Sequence, residues 1–152
     1  MKRLLCLVLC FMMLTALPAR AADVGPEGEE TTVKIEVIIG EQVFSATLAD
    51  SETTRTMIGW LPMTLDMTEL NGNEKYHYFD SELPTDARRP NNIEAGDLML
   101  FGGSCLVLFY ESFETSYSYT PVGRLDDPEG LREALGGGSV EVTFRLPEEE
   151  MP

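Results

Sequence analysis

Few side chains in this sequence combine a reactive group with a setting that could use it. Arg124 sits between Gly123 and Leu125 in an otherwise apolar stretch. Its guanidinium fork could bind a carboxylate or a peptide carbonyl. The competing reading is a stem that covers the fold while the head pairs with one of 26 acidic residues. Tyr117 and Tyr119, with Tyr76 and Tyr78, could line a groove, because tyrosine offers a flat apolar body and a polar tip. If their face points inward they are core instead. Tyr110, closing the apolar run Cys105–Tyr110, is a further candidate contact. His77, the single histidine, could act as a base or pH-responsive group. It alternates with Tyr76 and Tyr78, so it should face away from them, and no adjacent Ser or Cys completes a relay.

Other features read more simply. Cys105 lies in an apolar run with no second Cys or His nearby to lower its pKa, so it reads as a buried, inert thiol. Trp60 reads as a plug at the end of a helix. Arg88-Arg89 is a small basic spot that either steers an acidic partner or solvates a loop. Asp126-Asp127-Pro128-Glu129 lacks the spacing of a calcium loop and suits a helix start. No metal site and no cofactor are expected. Gly136-Gly137-Gly138 follows a helix, whereas a phosphate cradle precedes one.

Period-two alternation supplies the elements that must position these groups. Val33, Ile35, Val37 and Ile39 share a face, Gly40-Glu41 turns the chain, and Phe44, Ala46 and Leu48 return. Met63, Leu65 and Met67 mark a third strand, and Glu74 to Phe79 a fourth beyond the Asn71-Gly72 turn. Asp97–Phe101 and Cys105–Tyr110 flank Gly102-Gly103 as a second tight hairpin. Tyr117–Leu125 reads as a seventh strand and Val140–Leu146 as an eighth. One short helix is expected from Asp50 or Ser51 to Pro62, and a second from Asp126-Asp127 to Gly136. Ser81–Asn92 is a long loop. Eight short strands expose edges unless the sheet closes. The expected fold is therefore mainly β, a closed eight-stranded antiparallel barrel in which the last strand pairs with the first and two short helices cap the ends.

Composition narrows the partners. The 152 residues carry 26 acids and 11 bases, a net charge of −15. That balance argues against nucleic acid, whose phosphates need a Lys/Arg patch. Lys2 and Arg3, the apolar run Leu4–Leu17 and Ala19-Arg20-Ala21 have the layout of a secretory signal peptide, too short to span a bilayer. Cleavage is expected after Ala21. It would remove Lys2, Arg3 and Arg20 but no acid, leaving 131 residues, a charge of −18 and Cys105 as the sole cysteine. Residues 22–32 read as an acidic tether, 33–147 as one domain and 148–152 as an acidic tail. The expected product is secreted or periplasmic, without a membrane span after cleavage, and monomeric.

The order of elements resembles the bacterial cyclophilin-like family, over about Val33 to Leu146. The resemblance is carried by Ile35 to Gly40, Phe44 to Leu48, Leu61-Pro62 before Met63-Thr64-Leu65, and Asn71-Gly72 with Glu74-Lys75. It continues through Ala95-Gly96-Asp97, Phe109-Tyr110 and Pro121-Val122-Gly123-Arg124. It implies the barrel of the cyclophilins, in a family whose members are mostly uncharacterised. True cyclophilins isomerise X-Pro bonds with an Arg beside a pocket of Phe, Met and Leu. Here no Arg follows a Phe-His pair, and His77 lies between two tyrosines. Fold alone does not set activity. The leading expectation is an exported module that binds a peptide, protein or small molecule; the alternative is a peptidyl-prolyl isomerase.

Overall fold

A computed structural model describes residues 32–150. The proposed signal segment, its cleavage point and all but the last residue of the tether lie outside the described residues. Ten strands form: β1 (Lys34–Ile39), β2 (Gln42–Leu48), β3 (Met63–Leu70), β4 (Glu74–Tyr78), β5 (Asn92–Ile93), β6 (Asp97–Phe101), β7 (Cys105–Phe109), β8 (Phe113–Glu114), β9 (Thr120–Leu125) and β10 (Val140–Arg145). Eight of them close an antiparallel barrel in the order β1-β10-β3-β4-β7-β6-β9-β2. The last strand pairs with the first, with Val37 opposite Phe144. In the first hairpin Ile39 faces Gln42, so Gly40 and Glu41 are the turn, and Gly40 takes the positive φ of 59° that favours glycine.

Alternation sends one face of each strand into the barrel. Ile35, Val37, Phe44, Ala46, Leu65, Met67, Val142 and Phe144 are buried there. Helix α1 (Glu52–Ile58) begins where expected. Ser51 is its N-cap, exchanging hydrogen bonds with Thr54 in a capping box. Met57 and the adjoining Trp60 pack on the interior cluster.

Helix α2 (Leu131–Leu135) is shorter than the sequence suggested and starts later, after Gly130. Asp126 does not cap it. Its carboxylate instead accepts hydrogen bonds from Lys34 Nζ (2.7 Å), Ser45 Oγ (2.8 Å) and Thr47 Oγ1 (2.5 Å), tying the end of β9 to β1 and β2. The strand pairing at Gly102-Gly103 also differs slightly. Phe101 faces Cys105, so Ser104 joins the turn.

A second buried cluster lies on the outside of the barrel: Ile93, Met99, Cys105, Val107, Phe109 and Tyr119, with Tyr76 and Phe113 against it. β6 and β7 are therefore covered on both faces, which is why Cys105–Tyr110 is a continuous apolar run. The cover is a flap that leaves the barrel at Tyr110 and returns at Thr120. Its strand β8 pairs with β5 of the preceding loop in a two-stranded ribbon, with Ile93 opposite Phe113. The expected strand from Tyr117 is thus a correction. Residues 117–119 belong to the flap, whose backbone bonds go to the preceding loop: Thr115 N–H to Asn91 O, and a mutual pair between Arg88 and Tyr119. Only from Thr120 does the chain rejoin the barrel. There Pro121 sits at a register shift between β9 and β6.

Candidate functional site

Outward positions on β4 recur every second residue, so Glu74, Tyr76 and Tyr78 form one stripe on the barrel wall. Beside it, β7 turns Cys105 and Val107 outward, and Phe101 stands at the end of β6. The flap rises opposite, carrying Phe113, Thr115, Tyr117 and Tyr119. Together these surfaces bound a groove of about 500 Å³, within the usual range for ligand sites. Its rings are held edge-to-face. Tyr76 and Tyr78 lie 5.7 Å apart between centroids, and Phe101 and Tyr117 lie 6.0 Å apart. Such contacts fix side-chain directions without filling the groove.

Burial and like charge raise the pKa of several groups in the groove. Half-buried Glu74 has its pKa raised by burial and by the charge of Glu69. Burial likewise pushes the Cys105 thiol up, partly offset by a hydrogen bond with Tyr78, so this sulfur is not a ready nucleophile. Burial also raises the Tyr119 phenol, with Glu74 adding to it. Asn73, which lines the groove too, has a buried Oδ1 without a hydrogen-bond partner. No Lys or Arg lines the groove. Among the described residues, no three His, Cys, Asp or Glu side chains gather as a metal ion would require.

The residues singled out from sequence separate into two sets. Tyr117 and Tyr119 meet Tyr76 and Tyr78 around the groove. Arg124, Tyr110 and His77 do not line it. Arg124 donates to the buried carboxylate of Asp97 (2.8 Å) and to Glu94 (2.6 Å), bracing β9 against the entry to β6. Arg88 pairs with Asp86 at 2.5 Å, and Arg89 is exposed. His77 lies on the opposite face of β4 from the tyrosines, half-buried, with Nδ1 2.9 Å from the Asp66 carbonyl oxygen.

Tyr110 points into the barrel and donates to Glu69 Oε2 at 2.8 Å. Burial and that carboxylate push its pKa up to about 12. Next to it lies Lys75, 0% exposed, which sequence reasoning did not single out as a functional group. Its ammonium donates to Glu69 (2.6 Å), Gly136 O (2.8 Å) and Gly138 O (2.6 Å), so all three protons are used. Glu74 and Phe101 were also missed as groove residues. Glu74 was within reach of the same alternation that grouped Tyr76 with Tyr78. Phe101 was not, because its role depends on a flap that only tertiary folding brings near.

The model of the cyclophilin-like family matches residues 37–145. The chain belongs to the cyclophilin-like family. No curated protein sequence matches it significantly. Among solved structures, it is similar to a hypothetical protein from Archaeoglobus fulgidus, at TM-score 0.57 and 15% identity, covering 79% of this chain and 99% of that one. It is also similar to McbB, solved in complex with tryptophan, at TM-score 0.54 and 18% identity, covering 78% of this chain and 46% of that one. At these identities the likeness concerns the barrel. The family membership agrees with the resemblance seen in the sequence, and the closed barrel with the fold it implied.

Proposed function

We propose that this cyclophilin-like protein is an exported binding module whose ligand, a peptide segment or small molecule, occupies the groove between β4, β6, β7 and the flap. One observation carries the reading. Of the five exposed large hydrophobic side chains among the described residues, four line this groove: Leu70 (40% exposed), Tyr78 (61%), Phe101 (42%) and Tyr117 (63%). Apolar surface concentrated in one concavity marks an interaction site. The similarity to a protein solved with bound tryptophan is compatible with a small ligand on this barrel. The export half of the proposal rests on Lys2, Arg3, Leu4–Leu17 and Ala19-Arg20-Ala21.

An isomerase would need a guanidinium at the groove rim. The groove lining includes no Arg, and Arg124 is engaged by Asp97 and Glu94. The binding reading therefore stands ahead of the catalytic one. The test is a nuclear magnetic resonance screen of the full chain against peptide and small-molecule mixtures. The proposal expects hits whose shifts cluster on residues 74–78, 101–107 and 113–119. Hits that cluster elsewhere, or a protease-coupled assay showing isomerisation above the uncatalysed rate, would overturn it.

A further inference from the structure

The charged and aromatic groups that line the groove share one electrostatic sign, beside the neutral polar Asn71, Thr115 and Ser116. Tyr76, Tyr78, Phe101 and Tyr117 present aromatic surface, and aromatic faces carry negative potential. Glu74 stands half-buried at one end and Glu114 is exposed on the flap. No Lys or Arg lines the groove to neutralise these groups. It is rich in acceptors and π surface and poor in cationic donors.

From this we infer that the groove selects an organic ammonium ion, its aliphatic body against the rings and its charged head toward Glu74. The inference rests on the groove being the binding site and adds the class of ligand. A cation over an aromatic face gains from the ring quadrupole, more so where water is displaced. The same cation gives the half-buried Glu74 the counter-charge that the protein does not supply, since Lys75, its sequence neighbour, points into the barrel and is fully used by Glu69 and two carbonyls. The charged residues a carboxylate ligand would meet in this lining, Glu74 and Glu114, are both of like sign. The protein's net charge of −15 extends the same preference beyond the groove and would raise encounter rates with cations.

Ammonium groups come from two sources, a lysine side chain on a peptide and a free amine. Both are tested against neutral isosteres by resonance titration of the full chain. One pair is a short capped peptide with trimethyllysine against the same peptide with the all-carbon, tert-butyl side chain. The other is choline against 3,3-dimethylbutan-1-ol. The ammonium member of at least one pair is expected to bind about tenfold more tightly, with shifts on the groove. A preference confined to the peptide pair assigns the cation to a peptide, and one confined to choline assigns it to a free amine.

Tyr78→Leu keeps apolar bulk at an exposed position, so folding is not at stake. It should weaken the ammonium member of a pair severalfold more than its neutral isostere. Equal binding of ammonium and isostere in the groove would overturn the inference and leave the binding site standing. Absence of groove shifts with every probe would overturn the inference, and the library screen above would then decide the binding site itself.

Discussion

Replacing Lys75 with Met keeps the length and apolar stem of the side chain and removes only its charge and donors. Three bonds are lost, to Glu69 and to the carbonyls of Gly136 and Gly138. So is the cation 5.5 Å from the centroid of the Tyr110 ring. Removing one member of a buried ion pair costs about 3–5 kcal/mol. The lower end applies here. Glu69 is still reached by Tyr110 Oη and Gly72 N–H, and its side chain is 24% exposed, so its charge keeps partial solvation. The expected loss is about 3 kcal/mol, or roughly 12 °C in Tm for a domain of this size. Urea denaturation followed by circular dichroism would measure it.

A second readout follows from the charge. In the native protein burial pushes the Glu69 pKa up, but hydrogen bonds from Lys75, Tyr110 and Gly72 outweigh it and hold the carboxyl below its ordinary value. Without Lys75 the Glu69 pKa should rise. A stability change under about 1 kcal/mol with an unmoved Glu69 pKa would refute the view that Lys75 is a clasp joining the β3–β4 hairpin to the loop after α2.

Three further outcomes are expected. Gly123→Ala would place a Cβ 2.5 Å from the Thr47 carbonyl oxygen and 3.0 Å from Leu48 Cδ2, so it should lower stability by about 1–3 kcal/mol in the same denaturation assay. Asp126, held down to a pKa of about 2 by Lys34 first and by Thr47 and Ser45, contributes stability that is present above its ordinary pKa of 3.8 and lost as pH falls toward 2. Asp126→Ala should therefore cost on the order of 1 kcal/mol near neutral pH after solvent screening, and the gap to wild type should close between pH 4 and pH 2. N-terminal sequencing of the secreted product should read Ala22 first; retention of the apolar segment would contradict the export proposal.

Much of the barrel was legible because its strands obey one period. Ile35, Val37 and Ile39, or Val142 and Phe144, can be assigned to an inward face from alternation alone. Closure followed from counting edges. The turns at Gly40 and Gly72 were legible because a positive φ asks for particular residues. The flap was not, because β5 and β8 are two residues each and carry no period. It also misled the reading of Tyr117, which looks like strand and is wall. Asp126 resembled a helix cap because caps and strand-tethering acids share a residue type, and only the partners distinguish them. Lys75 was hidden for a related reason. Alternation places it inward, but a lone lysine in an inward position has no visible partner until Glu69 and the glycine carbonyls fold around it. The groove was half visible, in four tyrosines on two segments. Glu74 was within reach of the same alternation, whereas Phe101 became apparent only with the flap in place.

The central claim is that the groove beneath the flap is where this protein binds. The most direct measurement is the map of amide shifts on the full chain when a bound ligand is titrated in, compared between wild type and Tyr78→Leu. Shifts are expected on the outward positions of β4, β6 and β7 and on residues 113–119, weakened by the substitution. Shifts centred on Arg124 and Asp97, or a pattern the substitution leaves unchanged, would contradict it.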